Sequence, residues 1–302
     1  MSDSPVAGLQ KQIPLSRFTT LGTGGPARWF ATPETVDELV AVLGWAADRG
    51  LPVAPIGLGS NLLVADAGFP GLALRLSGKL AAARAEDAAL VAGGGAPFAV
   101  CLHRARAAGL GGIEFACAIP GTVGGGVWMN AGAYGGEVAG VLTRALVADS
   151  EGARWLSPAG LGLTYRRSAL RPGQVVALAE FGLVPRPVDQ IKAAVAEMQV
   201  LRKTAQPTNR RTFGSVFKNP EHELTAGRLL DACGLRGHAI GGARISPKHA
   251  NFIENDGDAR SADAIALIAE ARRRTHERFG IRLEPEVQLL GEIEVPPVEP
   301  AA

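Results

Sequence analysis

The chain has 302 residues, 31 Lys and Arg against 29 Asp and Glu, and a net charge of +2. That balance argues against a wholesale nucleic-acid binder, whose basic excess is larger and gathered on one face. Apolar residues make up 47% and charged residues 20%, a globular balance with ample core material, and the length implies two or three structural units. The three cysteines, Cys101, Cys117 and Cys233, are odd in number and lack metal-ligand spacing. They point to a reducing compartment and to no metal site. Residues 1–17 lack the apolar core of a signal peptide, and the longest apolar runs fall short of the roughly 20 residues of a membrane span. A soluble, cytoplasmic protein is expected.

In chain order, Thr32-Pro33-Glu34 reads as a helix start, with Thr32 as cap and proline at the first helical position. Apolar Val36, Leu39, Val40 and Leu43 carry that helix to Arg49, and Gly50 ends it. Residues 53–56 read as a buried strand, and 62–64, 72–76 and 88–92 as further strands. A helix is expected over 96–108, then a glycine-rich stretch over 119–136. Strands follow at 141–148 and 175–184, and a helix at 188–201. Residues 202–220 read as polar, basic and irregular. Beyond them lie a helix near 223–233, short strands near 240–245 and 251–254, a helix capped by Ser261 and running to Phe279, and a last strand at 283–290. The tail from Glu292 is proline-rich. Strands following each other directly make this α+β rather than a regular doubly wound sheet.

Backbone that comes close to a diphosphate favours glycine, since a Cβ blocks the approach. Two segments qualify as such cradles: 57–61 and 121–126. Gly22-Thr23-Gly24-Gly25 lacks a preceding strand and a third glycine at the Rossmann offset, and neither cradle completes that fingerprint. Between Arg202 and Lys218 there are five basic residues and no acid, which suits a diphosphate ligand. The only aromatics in that segment, Phe213 and Phe217, make a poor stacking platform for nucleic acid. Ser215 has neither a G-x-S-x-G elbow nor a His/Asp pairing that would make it a hydrolase nucleophile.

Taken together and in order, Pro55-Ile56-Gly57-Leu58-Gly59-Ser60-Asn61-Leu62-Leu63-Val64, Ile119-Pro120-Gly121-Thr122-Val123-Gly124-Gly125 and Asn130-Ala131-Gly132-Ala133-Tyr134-Gly135 resemble the FAD site of the UDP-N-acetylenolpyruvoylglucosamine reductase family. Tyr165-Arg166-Arg167-Ser168, Gly214-Ser215-Val216-Phe217-Lys218-Asn219-Pro220 and Leu283-Glu284-Pro285-Glu286-Val287 resemble its remaining motifs, so the resemblance spans nearly the whole chain, about 15–290. It implies a two-subdomain FAD-binding fold of p-cresol methylhydroxylase type plus a C-terminal α+β substrate domain. The implied division is 1–77 and 78–203 for the FAD-binding subdomains and 204–286 for the substrate domain, with 287–302 returning to the first. On the resemblance, Gly57, Leu58, Gly59, Ser60, Asn61, Leu62, Ile119, Pro120, Gly121, Thr122, Gly124, Gly125, Asn130 and Gly132 bind FAD. The first loop has no histidine to tether a flavin, so the FAD is expected to be non-covalent.

The resemblance also implies reduction by NADPH of the enolpyruvyl group of UDP-N-acetylglucosamine enolpyruvate, a step in peptidoglycan precursor synthesis. Ser215 matches the catalytic serine, a proton donor to an enolate. Arg166 would stabilise the developing charge, and Glu286, protonated by burial, would help hold the enol. Tyr165, Lys203, Lys218 and Asn219 resemble substrate-binding positions. Ser246-Pro247-Lys248-His249-Ala250-Asn251 resembles a family segment of no evident role. The family's longer form inserts a tyrosine-bearing loop after the Tyr-Arg motif. Here residues 168–187 have no tyrosine, so this chain resembles the shorter form. A monomer without nucleic-acid or membrane partners is expected. The competing expectations are an FAD-dependent carbohydrate or alcohol oxidase of the same fold, or a non-catalytic nucleotide-binding protein.

Overall fold

The computed structural model describes residues 8–298; the start of the polar N-terminal stretch and the end of the proline-rich tail lie outside the described residues. The architecture is α+β. Contacts divide the chain into two units. The first comprises Met1–Ile13, Ala27–Leu58 and Pro70–Arg202, and the second Pro14–Pro26, Gly59–Phe69 and Lys203–Ala302. Residues 14–26 and 59–69 cluster with the second unit.

The first unit holds two larger sheets, besides the short pairs Gly132–Ala133 with Gly136–Glu137 and Leu110–Gly111 with Val184–Pro185. One has the strand order Gln10–Pro14, Pro26–Ala31, Phe69–Leu74, Val53–Pro55, the last two parallel with Val53 opposite Leu72. Helix Val36–Ala47 buries Leu39, Val42, Leu43 and Trp45 in a core shared with Leu72 and Leu74. Its cap is Thr35, not Thr32: the Thr35 hydroxyl accepts the Glu38 N–H at 3.3 Å, while the Thr32 carbonyl accepts the Ser77 hydroxyl. The second sheet is antiparallel and runs Gly152–Leu156, Leu142–Asp149, Val175–Gly182, Ala89–Gly93, Ala83–Glu86. Beneath it, Phe98 of helix Phe98–Ala107 packs with Phe181, Val127 and Ile191, each large apolar side chain contributing roughly 1.5–3 kcal/mol by burial. The glycine-rich stretch contains a short helix not expected from sequence, Val123–Trp128.

In the second unit an antiparallel sheet runs Arg211–Ser215, Phe252–Asn255, Ala243–Ile245, Ala239–Ile240. The expected irregular region thus contains an edge strand, because Phe213 enters the core while the residues beside it stay half-buried or exposed. Helices Ala226–Ala232 and Ser261–Phe279 pack against the sheet, and Leu21 and Leu63 join Phe213, Phe217, Leu229, Ile253 and Leu267 in one core. The last strand is only Gln288–Leu290, parallel to Leu62–Val64 with Leu289 opposite Leu63. Ser261 is the first helical residue rather than the cap. The Asp66 carboxylate accepts the N–H groups of Ser261 and Ala262 at 2.9 and 3.0 Å, supplying the cap oxygens and negative charge that a helix start favours.

Candidate functional site

Two clusters carry the chemistry-bearing residues, one in each unit. In the first unit, Gly57 lies against Thr122. A Cβ at Gly57 would stand 2.5 Å from the Thr122 hydroxyl, so only glycine permits this approach of the two loops. Thr122 is buried, while Pro120 and Gly125 are exposed and Gly121 is half-buried. The Gly124 N–H donates to the Gly94 carbonyl at 2.7 Å, which makes Gly124 a packing residue of the sheet rather than an open donor. Ile119 packs against the adjoining core.

The same unit brings Asn130, Gly132 and Arg166 together. Residues Thr164 and Arg167 exchange backbone hydrogen bonds at 2.9 and 3.1 Å, closing a turn with Arg166 at its tip and Tyr165 beside it. The Arg166 Nη2 donates to the Gly132 carbonyl at 2.7 Å, and its guanidinium lies 5.1 Å from the Tyr165 ring centre, a cation–π contact. Asn130 is fully buried: its Nδ2 donates to the Thr164 carbonyl at 3.1 Å and its Oδ1 accepts the Ala139 N–H at 2.9 Å. Its amide therefore holds protein to protein. Asn130, Tyr134 and Arg166 have φ of 41°, 49° and 54°, left-handed conformations that cost a non-glycine residue about 1–3 kcal/mol each and gather at functional sites. Burial raises the Tyr134 hydroxyl pKa, with the Arg202 charge opposing.

The second unit joins the rest of the first loop to the serine segment. The Gly59 carbonyl accepts both the N–H and the hydroxyl of Thr20 at 3.1 Å, and Leu62 belongs to the strand paired with Gln288. The Asn61 Nδ2 donates to the Glu286 carbonyl at 3.1 Å, and the Asn61 carbonyl accepts the Gln288 N–H at 3.0 Å. Gly214 has φ +83°, and the Ser60 carbonyl sits 3.1 Å from where its Cβ would be. This glycine lets the strand turn sharply just before Ser215. Ser215 is half-buried, and its hydroxyl makes no hydrogen bond among the described residues. The Glu286 N–H donates to the Val216 carbonyl at 2.8 Å, and the Lys218 N–H to the Glu284 carbonyl at 3.0 Å. Asn61, Glu286 and Val216, the residue after Ser215, are thus linked by hydrogen bonds. Lys218 pairs with Glu284 at 2.7 Å. The Asn219 Oδ1 accepts the Ala226 N–H at 3.1 Å, and the Lys203 carbonyl accepts the Lys248 Nζ at 2.6 Å.

Comparison with known proteins decides the family. Residues 206–290 match the family described as UDP-N-acetylenolpyruvoylglucosamine reductase, C-terminal domain, and residues 27–155 match the FAD binding domain. The UDP-N-acetylenolpyruvoylglucosamine reductase of Anaeromyxobacter dehalogenans (strain 2CP-C) is 46% identical over 96% of this chain and 87% of its own length. That of Sphingopyxis alaskensis is 45% identical over 95% of this chain and 96% of its own. This chain belongs to the UDP-N-acetylenolpyruvoylglucosamine reductase family. The crystal structure of the Thermus caldophilus reductase superposes with a TM-score of 0.82 at 37% identity, covering 93% of this chain and 99% of that one.

For a member of this reductase family the loops suit FAD. No acidic side chain occurs between Ile119 and Gly136, so nothing there repels a diphosphate, and exposed Gly125 offers uncrowded backbone. Within the first unit, Gly57 and Thr122 bring the two glycine loops against each other, with Gly121 half-buried beside them. Burial pushes the Cys101 thiol up to about 12, which removes it as a thiolate nucleophile. Among the described residues no group of His, Cys, Asp and Glu could hold a metal ion, and no helix is long and apolar enough to cross a membrane. One residue that the sequence did not single out by role, Asn251, proves central to the serine segment.

Proposed function

We propose that the protein reduces the enolpyruvyl group of UDP-N-acetylglucosamine enolpyruvate to give UDP-N-acetylmuramate, with NADPH as reductant and non-covalent FAD, as a cytoplasmic monomer in peptidoglycan precursor synthesis. The observation that carries this reading is the joining of the segment that follows Ser215 to Glu286 and to Asn61 of the first loop, through the Glu286-to-Val216 and Asn61-to-Glu286 hydrogen bonds. Family membership and the FAD binding domain match support it.

FAD, when bound, supplies the hydride that passes from NADPH to the terminal methylene carbon of the enolpyruvyl group. That addition leaves an electron pair on the neighbouring carbon, delocalised into the carboxylate as an enolate. Arg166, preset in its strained turn, is the cation that offsets this charge, which is the function of preorganised donors in catalysis. The Ser215 hydroxyl gives its proton to the carbon and regains one from solvent. An alcohol is a weak acid, but an enolate is basic enough to take its proton at the right distance. Glu286, in its acid form, holds the enol oxygen until transfer is complete. Tyr165, Lys203, Lys218 and Asn219 are assigned to the sugar nucleotide, and Asn130 to holding the Arg166 turn.

Colour tests this directly. Purified protein is expected to be yellow, to bleach with NADPH under anaerobic conditions, and to regain its colour with the enolpyruvyl nucleotide. Protein that stays colourless after reconstitution with FAD would sink the enzyme reading. Bleaching that the enolpyruvyl nucleotide does not reverse would leave an oxidase or another reductase.

A further inference from the structure

Residues 246–251 form the turn between strands Ala243–Ile245 and Phe252–Asn255, and its polar groups are tied inwards. The Ser246 hydroxyl accepts the N–H groups of Lys248 and His249 at 3.2 and 3.4 Å. Arg236, itself paired with Asp231, donates to the carbonyls of Pro247 and Lys248 at 3.0 and 2.9 Å. The His249 Nδ1 accepts the Asn251 N–H at 3.2 Å, an arrangement that needs the neutral ring, and burial lowers the His249 pKa, with Arg236 adding to the effect. What this turn presents is Asn251, 4% exposed.

Asn251 meets the serine segment at three points. Its Oδ1 accepts the Phe217 N–H at 2.9 Å, its Nδ2 donates to the Phe217 carbonyl at 2.8 Å, and its own carbonyl accepts the Val216 N–H at 2.9 Å. Glu286 takes the remaining Val216 carbonyl. Every backbone polar group of the two residues after Ser215 is thereby engaged, three of the four by Asn251. The regular ladder is broken here: register shifts between Thr212 and Ser215, and pairing ends at Ser215 opposite Phe252. A primary amide is planar with one acceptor and a donor, the same pairing that a peptide group offers.

We propose that Asn251 is a positioning residue for the reduction, its side chain acting as a surrogate strand that carries the ladder past the bulge and sets the direction of the Ser215 hydroxyl. The inference rests on the proton-donor role of Ser215. Aspartate at this position keeps the acceptor but loses the donor, and serine keeps a single shorter group, so both should release Phe217 without opening a large cavity.

The test uses flavin-loaded Asn251→Asp and Asn251→Ser proteins. Bleaching by NADPH should stay within about twofold of wild type, while recoloration by the enolpyruvyl nucleotide slows about 10- to 100-fold, the scale of a small misplacement at a reacting group. Amide exchange at Phe217 should accelerate about tenfold or more with strand Phe252–Asn255 still protected, a local opening rather than unfolding. Added to Ser215→Ala, Asn251→Asp should cost less than about threefold more, because residues acting through one another are not additive. Equal slowing of both half-reactions, independent multiplication with Ser215→Ala, or loss of flavin in both variants would overturn the proposal. Should Ser215→Ala alone recolour at the wild-type rate, the proton-donor reading fails instead, and unchanged Phe217 exchange would separately remove the positioning role.

Discussion

Arg166 and Ser215 both sit at sharp backbone features, yet the two regions hold them by opposite means. Arg166 itself adopts the left-handed conformation, at φ 54°, and the turn is kept closed from outside by Asn130 and by its own bond to the Gly132 carbonyl. At Ser215 the preceding Gly214 takes the positive φ, at +83°, where a residue without Cβ bears little strain. The serine then enters an engaged backbone at Val216 and Phe217. In the first region strain falls on the functional residue and is sustained by neighbours; in the second a neighbour absorbs it. The Arg166 turn should therefore be fragile to changes around it, whereas Ser215 should be replaceable without structural loss.

The largest effect expected from that contrast is kinetic. Ser215→Ala should slow recoloration by the enolpyruvyl nucleotide by about 10² or more while flavin reduction by NADPH persists, and its thermal stability should stay within about 0.5 kcal/mol of wild type. A large loss of stability would break the contrast, and an unchanged rate in stopped-flow traces would remove Ser215 from the chemistry. Next, Asn130→Ala should cost about 1–3 kcal/mol in urea unfolding, since it leaves the Thr164 carbonyl and the Ala139 N–H without their partner. Stability unchanged by that substitution would mean that the turn holds itself. The smallest effect concerns His249. Burial lowers its folded pKa below the ordinary value, so the neutral ring stabilises the fold above that ordinary value, and this contribution fades as pH falls towards the folded pKa. His249→Asn keeps an acceptor without titrating, so its melting temperature should fall less than wild type between pH 7 and pH 5. Equal acid sensitivity would show that the ring's charge state does not matter to the turn.

How much of this was legible in the sequence depends on whether the determinant is local. Helix Val36–Ala47 and strand Leu62–Val64 follow from apolar spacing. The cap of helix Ser261–Phe279 follows only in part: Asp263 in its first turn accepts the Arg260 N–H, but the carboxylate that takes the Ser261 and Ala262 N–H groups is Asp66, far away in the chain. Helix Val123–Trp128 was hidden by its three glycines, poor helix formers, of which Gly126 is needed because the packing leaves no room: it lies against the Phe98 ring. Strand Arg211–Ser215 was masked by its polar composition, with Phe213 as the only buried side chain. For the site, motif order pointed to Ser215, Arg166 and Glu286. The internal engagement of Asn130 and Gly124 and the hold of Asn251 on Phe217 are pairings across the chain that no spacing rule contains.

The interleaving of the two units has a consequence for inheritance. The second unit takes Leu21, Leu63 and strand Leu62–Val64 from the first quarter of the chain. A gene segment encoding only residues 203–302 would carry Ser215 and Glu286 but would lack two core side chains and the partner of strand Gln288–Leu290. A single crossover near codon 203 between divergent relatives would separate surfaces that had changed together, so this unit is expected to pass between lineages only with the whole gene.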